Sequence, residues 1–526
     1  MARSAHRMTG ELSLQDGSET RIPPAETAER TAADRAEHTA PHDPSKAPGV
    51  DSSGVTISDA SKRLLPWLVG VALFMESLDT TILNTAVPAV AAALNVPPLS
   101  MKSVLASYTL SLAVFIPISG WMADKFGTRR LFASAIGFFT LGSLLCGISS
   151  DIHVLVACRI LQGCGGAMMV PVGRLTLVRT FAKSELLLAM SFISIPALVA
   201  PMLGPIAGGL IVAYLHWRYI FFLNVPIGLL GLMLVYFHLP NYSEKDVEPL
   251  DFEGLILFGS GIALLSYVLE IFGEHTLSSR EVTGLLVLSL FLLLGYVLHA
   301  RRSEHPLLHL SLFRIRTFRA AVSGSFFTRL GMGGIPFLLP LLYQLGLGYT
   351  AVQSGLLIMP QAFGALSMKA VLGRLLNATG YRTVLVSNTL IIGAIMAGFA
   401  LIGPQTPVWA ILLLAFAYGA FSSLQYTSMN TLAYADTTEE ESSNASTIAS
   451  TMQQMSISFG VAIAGLTTAF FLPNGHGSES AEAIHGLHHA FILLGALTMA
   501  STIVFRSLRK GDGDDVSRRR VTHTGG

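Results

Sequence analysis

Long apolar stretches alternate with short polar ones along the chain from Leu64 onward. Each apolar stretch has about 20 residues, the length that a helix needs to cross a bilayer. There are too many such stretches for all of them to form the core of a soluble protein. The stretch 383–435 holds no charged residue and is divided by a turn sequence at 403–407, so counts of thirteen or twelve segments stay open. The pattern predicts fourteen membrane segments, at 64–91, 103–123, 131–149, 153–178, 187–213, 218–239, 253–272, 282–300, 319–345, 352–372, 383–402, 407–433, 446–471 and 485–506.

The first 60 residues lack this pattern and are rich in Ser, Thr, Ala, Glu, Arg and Pro. Such a segment buries too little apolar surface to offset the entropy of ordering, so residues 1–60 are predicted to be a disordered tail. No apolar core of a signal peptide precedes Leu64, and we expect the first membrane segment to act as the targeting signal. A second tail, 509–526, follows the last segment.

The composition supports a membrane protein. Hydrophobic residues make up 51% of the 526 residues and charged residues 13%, with a mean hydropathy of +0.57. Because a soluble globular chain has about 25% charged residues, this composition excludes a water-soluble enzyme. The formal net charge of +1 is too small to attract nucleic acid.

Basic residues are concentrated on one side of the predicted segments. The two terminal flanks and the loops on their side hold 21 Lys and Arg residues, and the opposite loops hold Lys102, Arg218 and Arg280. Positively charged loops stay in the cytoplasm. The pattern therefore predicts a multi-pass protein of the inner or plasma membrane with both termini in the cytoplasm.

A loop sequence occurs twice. The spacing Gly-x6-Gly-x-Arg begins at Gly120 and again, 253 residues later, at Gly373. Each copy follows the second segment of a set of six, so the simplest architecture is two six-helix bundles related by a parallel repeat. The predicted domains are an N-terminal bundle at 64–240, two linker helices at 250–302 and a C-terminal bundle at 318–508.

The first copy of the loop has the chemistry of a hinge. Gly120 permits close approach of a neighbouring helix, and Gly127 permits the positive φ of a tight reversal. Asp124 can pair with Arg129 or lie at a helix N-terminus, while Arg129 and Arg130 anchor the cytoplasmic face. An ordinary positively charged turn is the alternative.

Four motifs resemble those of one transporter family. The loop from Gly120 to Arg130 resembles motif A of the major facilitator superfamily, and residues 78–88 resemble the first helix of its fourteen-helix DHA2 (EmrB/QacA-like) drug:proton antiporters. Residues 159–166 and 204–209 resemble motifs B and C. The stretches 171–176 and 311–334 are similar to the MdtD- and HsrA-like multidrug transporters within that group. The resemblance covers 64–508 and implies the all-α major facilitator fold.

Ionisable side chains inside membrane segments indicate functional sites, because each costs at least about 2.5 kcal/mol near the bilayer centre. Glu76 and Asp79 are three residues apart and share a helical face, so they can reach a common cavity. Two carboxylates in a low dielectric do not both ionise easily, and we expect at least one to exchange protons near neutral pH. Structural hydrogen bonding of Asp79 and simple hydration of Glu76 are the alternatives. The other embedded groups are Arg159, Arg174, Glu270, Arg329 and Lys369.

Motif B supplies the expected partner of these carboxylates. Arg159 is a natural counter-ion, and the resemblance implies that it assists proton transfer by tuning a carboxylate. A purely structural ion pair is the alternative. Gln162, with Gly163 and Gly166, would provide hydrogen bonding and close helix contact.

Motif C and two basic residues complete the candidate sites. The prolines and glycines of the fifth segment favour a kinked, tightly packed helix, and the resemblance implies a seal between the bundles that limits leak. Ordinary helix packing is the alternative. Arg329 and Lys369 of the second bundle would bind an anionic group, close a gate or line an aqueous cavity. The motif C residues are Gly204, Pro205, Gly208 and Gly209.

The sequence favours export of small amphipathic organic compounds in exchange for protons, by alternating access. No Walker A, zinc or haem-attachment signature occurs, so we expect no cofactor or metal and a proton gradient as the energy source. A symporter or uniporter on the same fold is one alternative, and a polytopic membrane enzyme is a distant one. Expected partners are the substrate and membrane lipid but not nucleic acid, and the need for a periplasmic adaptor stays open.

Overall fold

A computed structural model describes residues 59–181, 183–244, 247–271, 278–438, 441–471 and 480–513. The predicted tail at 1–60 lies almost wholly outside these residues, as does most of the tail at 509–526. The side chain of Glu270 is also outside the description. Regular structure within the described ranges is helical throughout, so the all-α prediction is confirmed there.

A helix occupies each of the fourteen predicted positions in the described chain. Four of these helices are interrupted: α6 at Leu223, α9 between Met332 and Ile335, α10 at Met359 and α14 at Ser501. Their bounds are α1 Asp59–Ala93, α2 Met101–Phe126, α3 Thr128–Ile148, α4 Ile152–Thr180, α5 Lys183–Tyr214, α6 Tyr219–Phe222 with Asn224–His238, α7 Phe252–Ile271, α8 Ser279–Ala300, α9 Arg316–Met332 with Ile335–Leu341 and the turn Leu342–Gly346, α10 Ala351–Ile358 with Pro360–Thr379, α11 Tyr381–Gly398, α12 Val408–Ala433, α13 Ser442–Phe470, and α14 Ser480–Ala500 with Thr502–Phe505.

Twelve of the described helices are long and apolar enough to cross a membrane. The other two predicted segments correspond to α5, which has an apolar stretch at Val199–Tyr214, and to α13. Membrane crossing by these two helices stays a prediction.

Local sequence signals fix several helix ends. The Asp151 side chain accepts hydrogen bonds from the N–H groups of His153 and Val154, at 2.9 and 3.0 Å, and so caps α4. Gly127 and Gly380, the second glycines of the two repeated loops, have φ angles of 91° and 76°. Such angles suit glycine, because it has no Cβ. The same tight reversal therefore joins α2 to α3 and α10 to α11.

The pairing of helices repeats along the chain. In the first bundle α1 packs on α5, α2 and α3 pack on α4, and α3 packs on α6. The same pairs recur eight helices later, as α9 on α13, α10 and α11 on α12, and α11 on α14. Between the bundles, α2 packs on α13 and α5 on α10, which are again equivalent contacts under this shift. The parallel repeat is thus a property of the packing as well as of the loops.

Three large apolar clusters show where the bundles meet. One cluster combines residues of both bundles, among them Val87, Met101, Leu341 and Val461, at the end opposite the basic turns. The other two belong to the first bundle and to the second, and the latter extends through α7 to Ala113 of α2. A large shared core therefore joins the bundles at the end opposite the basic turns.

The linker helices pack on one side of this bundle contact. Helix α7 lies against α2 and α13, and a Cβ added at Gly259 would be 3.2 Å from Cγ1 of Val114. Asp251, directly before α7, accepts hydrogen bonds from Nε2 of His299 at 2.7 Å and from the N–H groups of Gly254 and Leu307 at 2.8 and 3.0 Å. One carboxylate thus ties both linker helices to the chain that leads into the second bundle.

Asp251→Asn is expected to lower the stability of the linker pair by about 1–3 kcal/mol, because buried donors lose a charged acceptor. Burial raises the pKa of Asp251, but the hydrogen bonds from Gly254, Leu307 and His299 outweigh it and hold the pKa below its ordinary value. This stabilisation is present above the ordinary value of about 3.9 and is lost as the pH falls through the lowered one. Thermal unfolding from pH 7 to pH 3 should show the variant and wild type converging at low pH.

The matched control is Glu253→Gln, since the Glu253 side chain is 83% exposed and lies 3.6 Å from Nδ1 of His299. An exposed pair of this kind contributes little, and the control should unfold like the wild type. Equal stability of Asp251→Asn and wild type at pH 7 would contradict the role given to Asp251.

Candidate functional site

Asp79 lies midway along α1 and is bound by two neighbouring helices. Its Oδ2 forms an ion pair with Nη1 of Arg159 on α4. Its Oδ1 accepts hydrogen bonds from Nε2 of Gln162 at 2.9 Å and from Nδ2 of Asn224 on α6 at 3.0 Å. All four side chains are at most 1% exposed. A buried carboxylate is therefore held by one cation and two amides.

Two members of this network were missed by sequence reasoning. Asn224 begins the second part of α6, and Oγ of Ser143 on α3 accepts hydrogen bonds from Gln162 and Asn224 at 2.7 and 3.3 Å. Polar residues in apolar segments were the available signal. The partners of Asn224, however, are Ser143 and Asp79, which lie 81 and 145 residues away along the chain. Only the folded bundle brings these side chains together.

Arg159 lies between Asp79 and a cavity. Its guanidinium carbon lies 5.0 Å from the ring centre of Tyr108 and 5.3 Å from that of Phe221, and Nη1 also donates to Oε1 of Gln162 at 2.7 Å. Arg159 and Tyr108 line the cavity, whereas Asp79 does not. Nε of Arg159 and the hydroxyl of Tyr108 have no hydrogen-bond partner among the described residues. The guanidinium therefore keeps one donor, Nε, that no described residue uses.

Glu76 lies on the cavity wall itself. Its carboxylate makes no hydrogen bond or ion pair in the described chain, although the charge of Arg174 acts on it. The expected common cavity of Glu76 and Asp79 is thus not observed, because the second carboxylate faces the interior of the bundle. The two acidic groups have different environments.

Two adjoining cavities lie between the bundles. They have volumes of about 390 and 470 Å³, a size that suits a drug-sized molecule. Glu76 and Arg159 line the first, and Lys369 lines the second. Arg329 lies behind the second wall, where its guanidinium carbon is 4.0 Å from the ring centre of Tyr426, a lining residue, and its Nε donates to Ser325 at 3.0 Å. The cavities share Thr81, Asn84, Gly333, Pro336 and Ile457.

The motif A turn is tied to two other elements. Oδ1 of Asp124 accepts a hydrogen bond from Nη2 of Arg179 at the end of α4, at 2.8 Å, and this Nη2 also donates to Oε1 of Glu244 at 2.8 Å. The expected pairing of Asp124 with Arg129 is therefore wrong. The side chains of Arg129 and Arg130 are exposed at the basic end of the bundle.

The glycines of motifs A and B differ in their packing. A Cβ added at Gly163 would lie 2.8 Å from the carbonyl oxygen of Tyr108, and one at Gly166 would lie 2.7 Å from the Tyr108 hydroxyl. These two glycines bring α4 against α2. A Cβ at Gly127 would lie 2.4 Å from Oδ1 of Asn241, whereas one at Gly120 would meet nothing within 4 Å. The close approach expected at Gly120 does not occur.

Comparison with known proteins identifies the family. The sequence matches the profile of the Major Facilitator Superfamily over residues 69–461. The chain belongs to this superfamily. The predicted family and its fold are confirmed, and the major facilitator chain is a multi-spanning membrane transporter of small molecules and not an enzyme.

Its relatives in the superfamily include curated multidrug proteins. "Putative multidrug resistance protein MdtD" of Pectobacterium atrosepticum is 38% identical over 451 residues, covering 85% of this chain and 95% of the relative. The protein of the same name from Escherichia coli O127:H6 is 39% identical over 443 residues, covering 84% and 93%. Among solved structures, a POT family transporter in complex with 5-aminolevulinic acid has a TM-score of 0.61 at 16% identity, covering 87% and 97%.

Motif C of this major facilitator chain lies in α5 and contacts both bundles. A Cβ at Gly204 would lie 2.1 Å from Oγ1 of Thr81, and one at Gly208 would lie 2.4 Å from the carbonyl oxygen of Ile82, so these two glycines bring α5 against α1. At the adjacent residue, a Cβ added to Gly209 would lie 2.6 Å from the carbonyl oxygen of Ala351 on α10.

Sequence reasoning expected a seal between the bundles at motif C but did not name Gly355, which lies on its other side. A Cβ added at Gly355 of α10 would lie 2.4 Å from the carbonyl oxygen of Pro205. Nearby, Nε2 of Gln344 donates to the carbonyl oxygen of Thr85 at 2.8 Å. These contacts join the bundles at the end opposite the basic turns.

Proposed function

We propose that this transporter exports small amphipathic organic compounds from the cytoplasm in exchange for protons, by alternating access of its two bundles. We further propose that it lies in the inner or plasma membrane with both termini in the cytoplasm, as the positive-inside rule predicts. The bundle contact near Gly355 then lies on the external side, and the cavities lie on the cytoplasmic side of that contact.

The observation that carries the proposal is the ion pair of Asp79 and Arg159 beside the cavity. A buried carboxylate keeps its charge only while a cation or hydrogen-bond donors compensate it. Protonation of Asp79 would remove its attraction for Arg159, which could then turn toward the cavity and act on the bound compound. Proton and substrate would thus compete through one arginine.

The proton gradient would supply the driving force of this exchange. One proton supplies about 1.4 kcal/mol per pH unit, and each net charge moved supplies about 2.3 kcal/mol per 100 mV. The MdtD names of the relatives favour multidrug-type substrates. Glu76, on the wall of the first cavity, is the second acidic group that this cycle would use, and Lys369 of the other bundle lines the adjoining cavity.

Inverted membrane vesicles test this proposal. With the vesicles acidified inside, an exported compound should enter them and carry protons out, and an internal pH-sensitive dye should show the lumen becoming more alkaline on addition of an amphipathic cation such as ethidium. Vesicles without the protein are the control. Uptake that acidifies the lumen would indicate proton symport, and a lumen pH that does not respond during measured uptake would indicate uniport. Either result would contradict the proposed exchange.

A further inference from the structure

Two charged side chains face the cavities without a partner. Glu76 stands on α1 of the first bundle and Lys369 on α10 of the second. In the part of the chain that the structure describes, neither forms a hydrogen bond or an ion pair. A charge on a mainly apolar wall is costly unless water or a ligand compensates it. Glu76 is half-buried and Lys369 is exposed, so both charges are accessible to a molecule in the cavities.

The other charges near the cavities are already compensated. Arg159 is bound to Asp79, and Arg329 is covered by the ring of Tyr426. Arg174 acts on Glu76 through its charge only and does not line either cavity. The carboxylate and the ammonium group are thus the two charges most open to a bound molecule.

The cavities that these two charges line adjoin each other. The two cavities share five lining residues, of which Thr81 and Asn84 belong to the first bundle and Gly333, Pro336 and Ile457 to the second. Most of the remaining wall is apolar or aromatic, with Phe337 and Leu339 among its members. A molecule that extends from Glu76 to Lys369 would therefore contact both bundles through charged ends and an apolar centre.

We propose that the preferred substrates are zwitterions: aromatic or aliphatic compounds with an ammonium group that pairs with Glu76 and a carboxylate that pairs with Lys369. This inference rests on the proposed function and names its substrate class. Because Glu76 and Lys369 belong to different bundles, a zwitterion bound to both would bridge the bundles and favour the approach of the two bundles at the cytoplasmic end. A compound with a single charge would leave one wall group unpaired.

Binding of ciprofloxacin and two of its derivatives to the purified protein tests the proposal. Ciprofloxacin carries a piperazinium group and a carboxylate at opposite ends, its ethyl ester keeps the cation alone, and its N-acetyl derivative keeps the anion alone. Fluorescence titration should show ciprofloxacin binding about tenfold more tightly than either derivative, which corresponds to about 1.4 kcal/mol for one charge contact.

Two variants assign the contacts. The Glu76→Gln variant should bind ciprofloxacin no more tightly than it binds the N-acetyl derivative. The Lys369→Met variant should bind ciprofloxacin no more tightly than it binds the ethyl ester. The matched controls are Glu185→Gln and Lys510→Met, which remove exposed charges outside the cavities and should keep the wild-type order. Size-exclusion chromatography of each variant shows that it is folded.

The proposal is overturned if the ethyl ester binds as tightly as ciprofloxacin, if Lys369→Met leaves the order unchanged, or if none of the three compounds binds. Equilibrium binding needs no proton gradient, so these results are independent of the vesicle assay. Proton exchange without preference for ciprofloxacin would contradict this inference alone. Preference without proton exchange would contradict the proposed function alone.

Discussion

Asp79→Asn and Arg159→Gln are each expected to abolish proton-coupled export and to destabilise the first bundle by about 3–5 kcal/mol. Either change leaves one uncompensated partner in a network whose side chains are at most 1% exposed. The double variant should recover most of the stability, because two neutral amides can bond to each other and to Gln162 and Asn224. It should not recover export, because no titratable group is left at this position.

Thermal unfolding in detergent and substrate-induced proton flux in vesicles measure the two effects separately. Glu185→Gln on α5 is the matched control, since Glu185 is exposed and should change neither. Additive destabilisation in the double variant would show that Asp79 and Arg159 do not act as a pair. Export by the double variant would show that the proton is carried elsewhere, and Glu76→Gln would then be the next variant to assay.

The helices could be predicted because apolar length is a property of consecutive residues. Helices lie at all fourteen predicted positions, interruptions such as Leu223 in α6 and Met359 in α10 notwithstanding, and twelve of the described helices are long and apolar enough to cross a membrane. The repeat was visible because the turn needs glycine at a fixed place, and Gly127 and Gly380 have the positive φ that explains their spacing. Helix length and turn geometry depend on neighbouring residues, so both could be predicted from the sequence.

The candidate site was only partly predictable. Asp79 and Arg159 stood out because charges are rare in membrane segments, yet nothing in the sequence paired Asp79 with Asn224, 145 residues away. Glu76 and Asp79 share a helical face, but three residues of α-helix still separate their directions by about 60°. That angle is enough to place one carboxylate on the cavity wall and the other inside the bundle.

The partner of Asp124 shows the same limit. Sequence proximity favoured Arg129, which lies on the same turn. The fold instead supplies Arg179 from the end of α4, 55 residues away, together with Glu244. Long-range ion pairs depend on how helix ends are brought together, and a single sequence does not contain that information.

Gly355→Leu is expected to hold the bundles apart at the end opposite the basic turns and to stop export. A Cβ at this position would lie 2.4 Å from the carbonyl oxygen of Pro205, so α10 and α5 could not approach as closely as they do. Overpacking of this kind costs about 1–3 kcal/mol. At about 1.4 kcal/mol for each factor of ten, the population should shift up to about a hundredfold toward the state that is open on that side.

A cysteine at Ser423 on the cavity wall reports this shift, in a chain whose native Cys146, Cys158 and Cys164 are replaced by serine. With Gly355 present, a membrane-impermeant maleimide should label the reporter from the side of the basic turns. With Gly355→Leu, the maleimide should label the reporter from the opposite side, and labelling from the side of the basic turns should be slower. Gly284→Leu is the matched control, because a Cβ added at Gly284 of α8 meets nothing within 4 Å. Unchanged labelling and normal export in Gly355→Leu would mean that the contact with Pro205 is not a seal that opens and closes during transport.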